Sequence, residues 1–539
     1  MHRIARLFAF ILLILFARIA HTQSSTTAAA EPSEHGRLLL VLPFENHTLQ
    51  PSLDWIGEGA ADILNRRIDS AGFLAISRGD RLYALDHLGL PQSFQPSHAT
   101  TIRIAQMLDA DSVILGSYTL TGDRLTASAQ ILDVKALKLT PAIQEDGDLK
   151  NLLAILNTLA WRLARQLDPS YSVAQQTFLA ADGSLHVDAF ENYVRGMIAE
   201  SPAERIVHLK ESLRLNPSFT PAWFALGIAY FANEDYDSAA AILGRLPKDD
   251  PNALEADFYR GLAFFYTANY MKAEDAFAFV RLRLPLPEVV NNQAVAASRR
   301  GHDAAALFQQ AISADPKDSD YRFNLAVSLR RRNDVQGAIR EIDQELKLRP
   351  QDTEGQAFAN ELKNPGSIKV NPDKGKAIPD DTLPLERIKR NYNEAGFRQA
   401  AFEMEQMEAM RLAILPSAER ASALVKQGEQ FMNSGLTLEA ERQFQYALQA
   451  NPSSALAHAG LAQVRERSGD LDAARQEAQK SLALSPNVPA HLVLARLDLA
   501  SNQLGTAATE VAQALKLEPA NANARGMKQA LESRGQQVP

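Results

Sequence analysis

Five prolines, Pro217, Pro251, Pro285, Pro316 and Pro350, stand 34, 34, 31 and 34 residues apart. A second run, Pro452, Pro486 and Pro519, keeps the spacing at 34 and 33. A period of this size marks a chain assembled from one supersecondary unit, repeated because a single copy cannot bury its apolar face. Thr220–Pro251, TPAWFALGIAYFANEDYDSAAAILGRLPKDDP, shows the contents of one unit. It reads as helix–turn–helix, with small Gly227 and Ala239 facing each other where the helices cross. Trp223, Leu226, Tyr230 and Leu243 fill the space beside them. Pro251, which has no amide donor, is expected to close the second helix. The pattern returns in register as Gly261/Ala273/Phe277, Ala326/Ala338/Ile342 and Gly428/Ala440/Phe444, among others. A chance helical hairpin would not recur this way.

Trp223, Leu226, Gly227, Tyr230, Ala239 and Pro251 sit at the spacings of a tetratricopeptide repeat, and the chain resembles that family over most of residues 189–519. The resemblance implies an α-solenoid that binds something, and names no partner. A first array is expected over 189–362, with five repeats and an end helix. Its first repeat is shortened where Pro202 follows Gly196, and its fourth has lost residues near Arg299–Asp303. Six prolines and glycines between Pro365 and Pro384 make residues 363–384 an exposed linker that lets the arrays move. Residues 385–420 read as a helical connector, with Met404, Met407 and Met410 as adaptable packing rather than a metal site. The second array, 421–539, holds three repeats and a capping helix.

Ahead of the repeats, residues 1–22 read as a secretory signal: Arg3 and Arg6, then an apolar run from Leu7 to Ala17. The run is short for a membrane span, which needs about 20 residues. Ala20-His21-Thr22 is the best cleavage triplet, and an uncleaved anchor is the alternative. Residues 23–36 are a low-complexity leader. Residues 37–168 alternate strands and helices: the doubly apolar Leu38–Phe44, a helix over Asp54–Ile68, strands at Phe73–Ile76, Ser112–Leu120 and Leu125–Val134, and a closing amphipathic helix. Leu42-Pro43-Phe44-Glu45-Asn46, Trp55-Ile56-Gly57-Glu58-Gly59 and Ile114-Leu115-Gly116-Ser117 make this segment resemble the amino-terminal α/β domain of the TolB and FlgO type. That resemblance implies an envelope-associated interaction domain with no catalytic residues. Gly57-x-Gly59 lacks the third glycine of a dinucleotide fingerprint, Asp62 standing in its place, and reads as a helix start. Residues 169–188 connect to the repeats. The fold class is thus α+β multidomain and predominantly α: a small α/β domain followed by two α-solenoid arrays.

Chemistry is hard to find in this chain. A net charge of −8 over 539 residues argues against a general nucleic-acid binder. The absence of cysteine excludes disulfides, thiol nucleophiles and a cysteine-linked lipid anchor. The eleven histidines fall in no metal spacing, and Walker, Gly-x-Ser-x-Gly and kinase signatures are missing. The chain reads as a non-enzyme without cofactor or metal. Its partners would be proteins or peptides, with membrane contact only through the N-terminal segment if that is uncleaved. The expected role is an exported periplasmic or envelope-associated scaffold. Alternatives are a structural component of an outer-membrane secretion or assembly complex, and an enzyme with a divergent site in the α/β domain. In the resembled family the first helix of each repeat lines the groove. The inward positions would then be Phe224, Ile228 and Phe231, then Phe258, Leu262 and Phe265, with Arg330 and Arg331 further on. These apolar positions do not carry the Lys and Asn carboxylate clamp of peptide-binding relatives. They would suit an amphipathic helix or hydrophobic peptide, unless the α/β domain or the 168–188 connector fills the groove.

Overall fold

The computed structural model describes residues 38–91, 96–180, 185–364, 383–392, 407–433 and 435–539. The expected signal, the leader, Met404 and most of the Pro/Gly linker lie outside these residues. Among the described residues no helix is long and apolar enough to cross a membrane.

The N-terminal domain is a mixed sheet between helices. Strand β1 (Leu38–Val41) runs parallel to β3 (Leu74–Ala75) and to β4 (Ser112–Thr121), while β2 (Glu45–Asn46) extends alongside β4. Strand β5 (Arg124–Asp133) pairs antiparallel with β4 over its whole length, and then with β6 (Lys138–Leu139) and β7 (Ile143–Asp148). The unbroken apolar run at 38–44 follows from its place in the sheet. Leu39 and Val41 face helices Trp55–Ser70 and Leu152–Leu167, while Leu40 and Leu42 face Arg78–His87 and His98–Met107. Gly57 and Gly59 lie inside helix Trp55–Ser70. A Cβ at Gly57 would stand 2.4 Å from the Phe44 carbonyl oxygen, and one at Gly59 would stand 2.9 Å from the Phe190 ring. Both glycines therefore serve close packing.

Paired helices follow, beginning with Val187–Ile198 and Pro202–Leu215 and ending with Ser319–Arg331 and Val335–Leu348, then an end helix at Thr353–Lys363. The second set runs from Ser417–Asn433 and Thr437–Ala450 to Val488–Ala500 and Leu504–Leu517, closed by Ala522–Ser533. Within a pair, the glycine of the first helix receives a large side chain of the second rather than the alanine expected opposite it. A Cβ at Gly227 would meet Leu243 at 2.4 Å, at Gly261 Phe277 at 2.7 Å, and at Gly428 Phe444 at 2.5 Å. Pro251 does not end its helix, because Tyr236–Leu243 stops well before it and a turn bearing buried Leu246 intervenes.

Neither array's first repeat stands alone. Phe190, Tyr193 and Val194 of the first repeat share one core with the α/β domain, and the Tyr193 hydroxyl donates to Asp62 at 3.2 Å. The second array docks on the same domain both directly and through the connector. Leu438 enters that core, Arg442 donates to the Ala71 carbonyl at 2.8 Å, and Gln445 donates to the Ser172 carbonyl at 3.0 Å. Glu441, fully buried, takes Arg465 at 2.7 Å and the Ala174 amide at 3.0 Å.

Candidate functional site

The expected helical connector is not helical at its start. Residues 384–392 form neither helix nor sheet strand, and their contacts with successive helices make them, with Leu383, an extended strap across the first helices of the first array. The strap runs against the order of the repeats. Leu383 packs with Phe323 and Phe358, Arg387 lies over Ser319–Arg331, Lys389 over Pro287–Arg299, and Tyr392 reaches Phe258 at 5.4 Å between ring centroids. An isolated stretch of this length has no reason to stay extended. The asparagines beneath it supply one.

Asn324 holds the Arg387 main chain at both ends, accepting from its amide at 2.7 Å and donating to its carbonyl at 2.8 Å. Asn292 does the same for Lys389, at 2.8 Å in each direction. Asn291 donates to the Arg387 carbonyl at 3.2 Å and accepts from Asn324 at 2.9 Å, which ties the amides into one ladder. All three asparagines are fully buried. A carboxamide offers a donor and an acceptor side by side, so it can replace a neighbouring strand for one residue. Two such groups satisfy alternate residues of an extended chain, whatever its side chains are.

Side-chain pockets add selectivity. The fully buried Glu386 carboxylate meets Arg299 at 2.7 Å, takes the Ser298 hydroxyl at 3.2 Å and pairs with Arg331. Arg387 stacks 3.7 Å above the Phe323 ring and reaches Asp320 at 3.0 Å, Asp352 at 2.6 Å and Glu354 at 3.0 Å. Lys389 bridges Asp318 at 2.6 Å and Asp320 at 2.7 Å. Ile388 and Tyr392 lie on the Phe258, Leu262 and Phe277 cluster, and Arg390 stacks on Tyr266.

The carboxylates record this arrangement. Burial pushes Asp320 up, but Lys389, Arg387 and Arg349 outweigh it and hold the group below the usual carboxylate range. Asp352 is also held low, because the Gly355 amide and Arg387 outweigh its burial. Glu345 behaves oppositely: burial, with the adjoining Asp352 carboxyl, pushes it up to about 7.

The residues expected to line the groove are placed unevenly. Phe258 and Leu262 lie beneath the strap, Phe265 borders the same cluster, and Arg331 holds Glu386. Arg330, one residue away, instead acts on Glu361 of the end helix. Phe224 packs beside Leu243 and Leu246, while Phe231 sits among Tyr236, Tyr259 and Tyr266. Ile228 is half-buried. The occupant is neither an amphipathic helix nor the 168–188 connector, whose described part lies on the second array. Met407 and Met410, expected to pack, are exposed. Sequence reasoning missed the asparagines and the acidic set. Asn291 and Asn324 are 33 residues apart, one repeat length, on a face where Phe was expected.

Family profiles described as Tetratricopeptide repeat match residues 198–260, 293–353 and 425–489. Among curated proteins no sequence matches. Of solved structures, MamA from Desulfovibrio magneticus RS-1 is similar at 21% identity, covering 32% of this chain and 100% of its own, with a TM-score of 0.29. YrrB, described as a TPR protein with an unusual peptide-binding site, aligns at 14% identity over 37% of this chain and 98% of its own, TM-score 0.28. The C-terminal domain of LpoB from Escherichia coli aligns at 21% identity over 22% of this chain and 87% of its own, TM-score 0.20. Helix pairing, glycine packing and profile matches agree that tetratricopeptide repeats build both helical arrays of this chain.

Proposed function

We propose that this protein is an exported, non-catalytic scaffold of the bacterial cell envelope that binds partner proteins through the groove of its first array. The carrying observation is the asparagine ladder, in which Asn324 and Asn292 each grip one main-chain residue of an extended segment at both its amide and its carbonyl. Groups so placed recognise peptide backbone and have no evident use in bond-breaking chemistry. Export rests on Arg3, Arg6 and the apolar run to Ala17, and the envelope on the TolB and FlgO resemblance of residues 37–168. The second array, docked on that domain through Arg442 and on its connector through buried Glu441, would orient the groove relative to the envelope-facing part.

In-cell cross-linking followed by mass spectrometry tests the scaffold reading. Partner peptides linked to residues of the first-helix face in 253–331 are expected, and cross-links to this chain alone would contradict it. Fractionation with N-terminal sequencing tests the export reading. A mature chain that begins beyond Thr22 and is recovered outside the cytoplasm is expected; cytosolic protein retaining Met1 would sink it.

A further inference from the structure

The strap shows which ligand chemistry the groove accepts. Its charges are matched in order: one buried acidic residue, then two basic residues that flank an apolar one. Ser298, Arg299 and Arg331 form the acid-accepting end, with the two arginine side chains 8% and 9% exposed and the Glu386 side chain fully buried. Asp318, Asp320, Asp352 and Glu354 form the base-accepting end. A segment of reversed charge would set cations against arginines and carboxylates against carboxylates. Desolvated like charges are among the strongest means of rejecting a wrong partner. The asparagines fix the register, since Arg387 and Lys389 are gripped by their main chains and the pockets then read 386 to 389 in sequence.

Resting on the reading of this groove as a partner site, we propose that it selects extended segments carrying the order Glu-Arg-apolar-Lys, and that residues 383–392 are a resident copy of that ligand which a partner must displace. Tethering gives the resident segment an effective concentration on the order of millimolar. A free peptide of equal intrinsic affinity therefore loses to it. The groove of the resting protein is closed to weak ligands and opens to those that match better or bind at a second point as well.

The test uses the full chain and a fluorescent synthetic peptide, LPLERIKRNY, read by anisotropy. In a variant with Glu386→Ala, Arg387→Ala and Lys389→Ala the groove is intact and its resident weakened. The peptide is expected to bind this variant at least about tenfold more tightly than wild type. Binding should fall at least about tenfold when the peptide's Glu is replaced by Lys, or when Asn292→Ala and Asn324→Ala are added. Equal binding to wild type and opened variant would overturn the displacement half. No binding to an opened variant that keeps its circular dichroism and melting transition would overturn the proposal and make the strap a structural staple. Should that variant fail to fold, wild type with excess peptide decides the matter. Faster hydrogen exchange at 386–389 supports displacement, and unchanged exchange at saturating peptide overturns it. If peptide binding fails while partner cross-links to the first array persist in cells, only this proposal falls; if those cross-links are absent too, the scaffold reading falls with it.

Discussion

Asn292 and Asn324 each satisfy two main-chain groups that would otherwise lose their partners on burial. Replacing either with Ala should weaken strap docking by about 1–3 kcal/mol, the usual cost of stranding a buried donor or acceptor. Hydrogen exchange at Arg387 and Lys389 measures this, and exchange in the repeat helices should stay slow. Glu345 gives a pH dependence of definite sign. Its carboxyl rises from 4.5 to about 7 in the folded protein. Between those values the folded state holds a proton that the unfolded state has released, so this group's contribution falls as pH rises. Glu345→Gln mimics the protonated form. Its melting temperature should exceed that of wild type by a margin that widens from pH 5 to pH 8, and a constant margin would contradict the assignment. At this scale the sequence was only partly legible. Gly57-x-Gly59 was readable as a helix start because the motif lacked a third glycine, but the close packing that both glycines serve was not. The asparagines were not found, since a single Asn on a helix face is usually solvated and only their common spacing marked them.

Among the elements, the repeat helices were the most legible, because their apolar faces recur in register and each pair supplies the other's core. The turns inside the pairs were not. Seven of them place one residue in the left-handed region: Gly301, Gly435 and Gly469 in three, Asn333 and Asn502 in two, and Glu234 (φ 59°) and Ala268 (φ 58°) in the other two. A side chain there is strained, and glycine is the favoured residue just beyond a helix end. Ala268→Gly should therefore stabilise the protein by about 0.5–1 kcal/mol if relief of strain exceeds the added chain entropy; denaturant unfolding measures it. A loss of that size would show that entropy dominates. The strap was misread for a physical reason. Glu-Arg-Ile-Lys-Arg is made largely of good helix formers, and local propensity cannot register a groove whose asparagines stand 63 to 97 positions upstream of the residues they hold. Strands β6 and β7 escaped notice similarly, since Lys138–Leu139 is only two residues long and Ile143–Asp148 (IQEDGD) is mostly polar.

On the scale of the whole molecule, the two arrays were expected to move freely about the Pro/Gly-rich segment. The structure instead anchors each array separately: the first shares the core of the α/β domain, and the second is held to that domain by Arg442 and to its connector by Glu441 and Gln445. Glu441→Ala would leave Arg465, itself only 12% exposed, without its carboxylate. Breaking a buried pair from one side costs about 3–5 kcal/mol. The second array should then become the first part cut in limited proteolysis, whereas in wild type it should survive as long as the α/β domain. The central claim is that the first array holds an extended segment of its own chain by the main chain. Residue-resolved hydrogen exchange on the full-length protein tests it most directly. Slow exchange of the Arg387 and Lys389 amides, becoming fast in the Asn292→Ala/Asn324→Ala double variant while the helices stay protected, is the expected result. Fast exchange of both amides in the wild-type protein would contradict it.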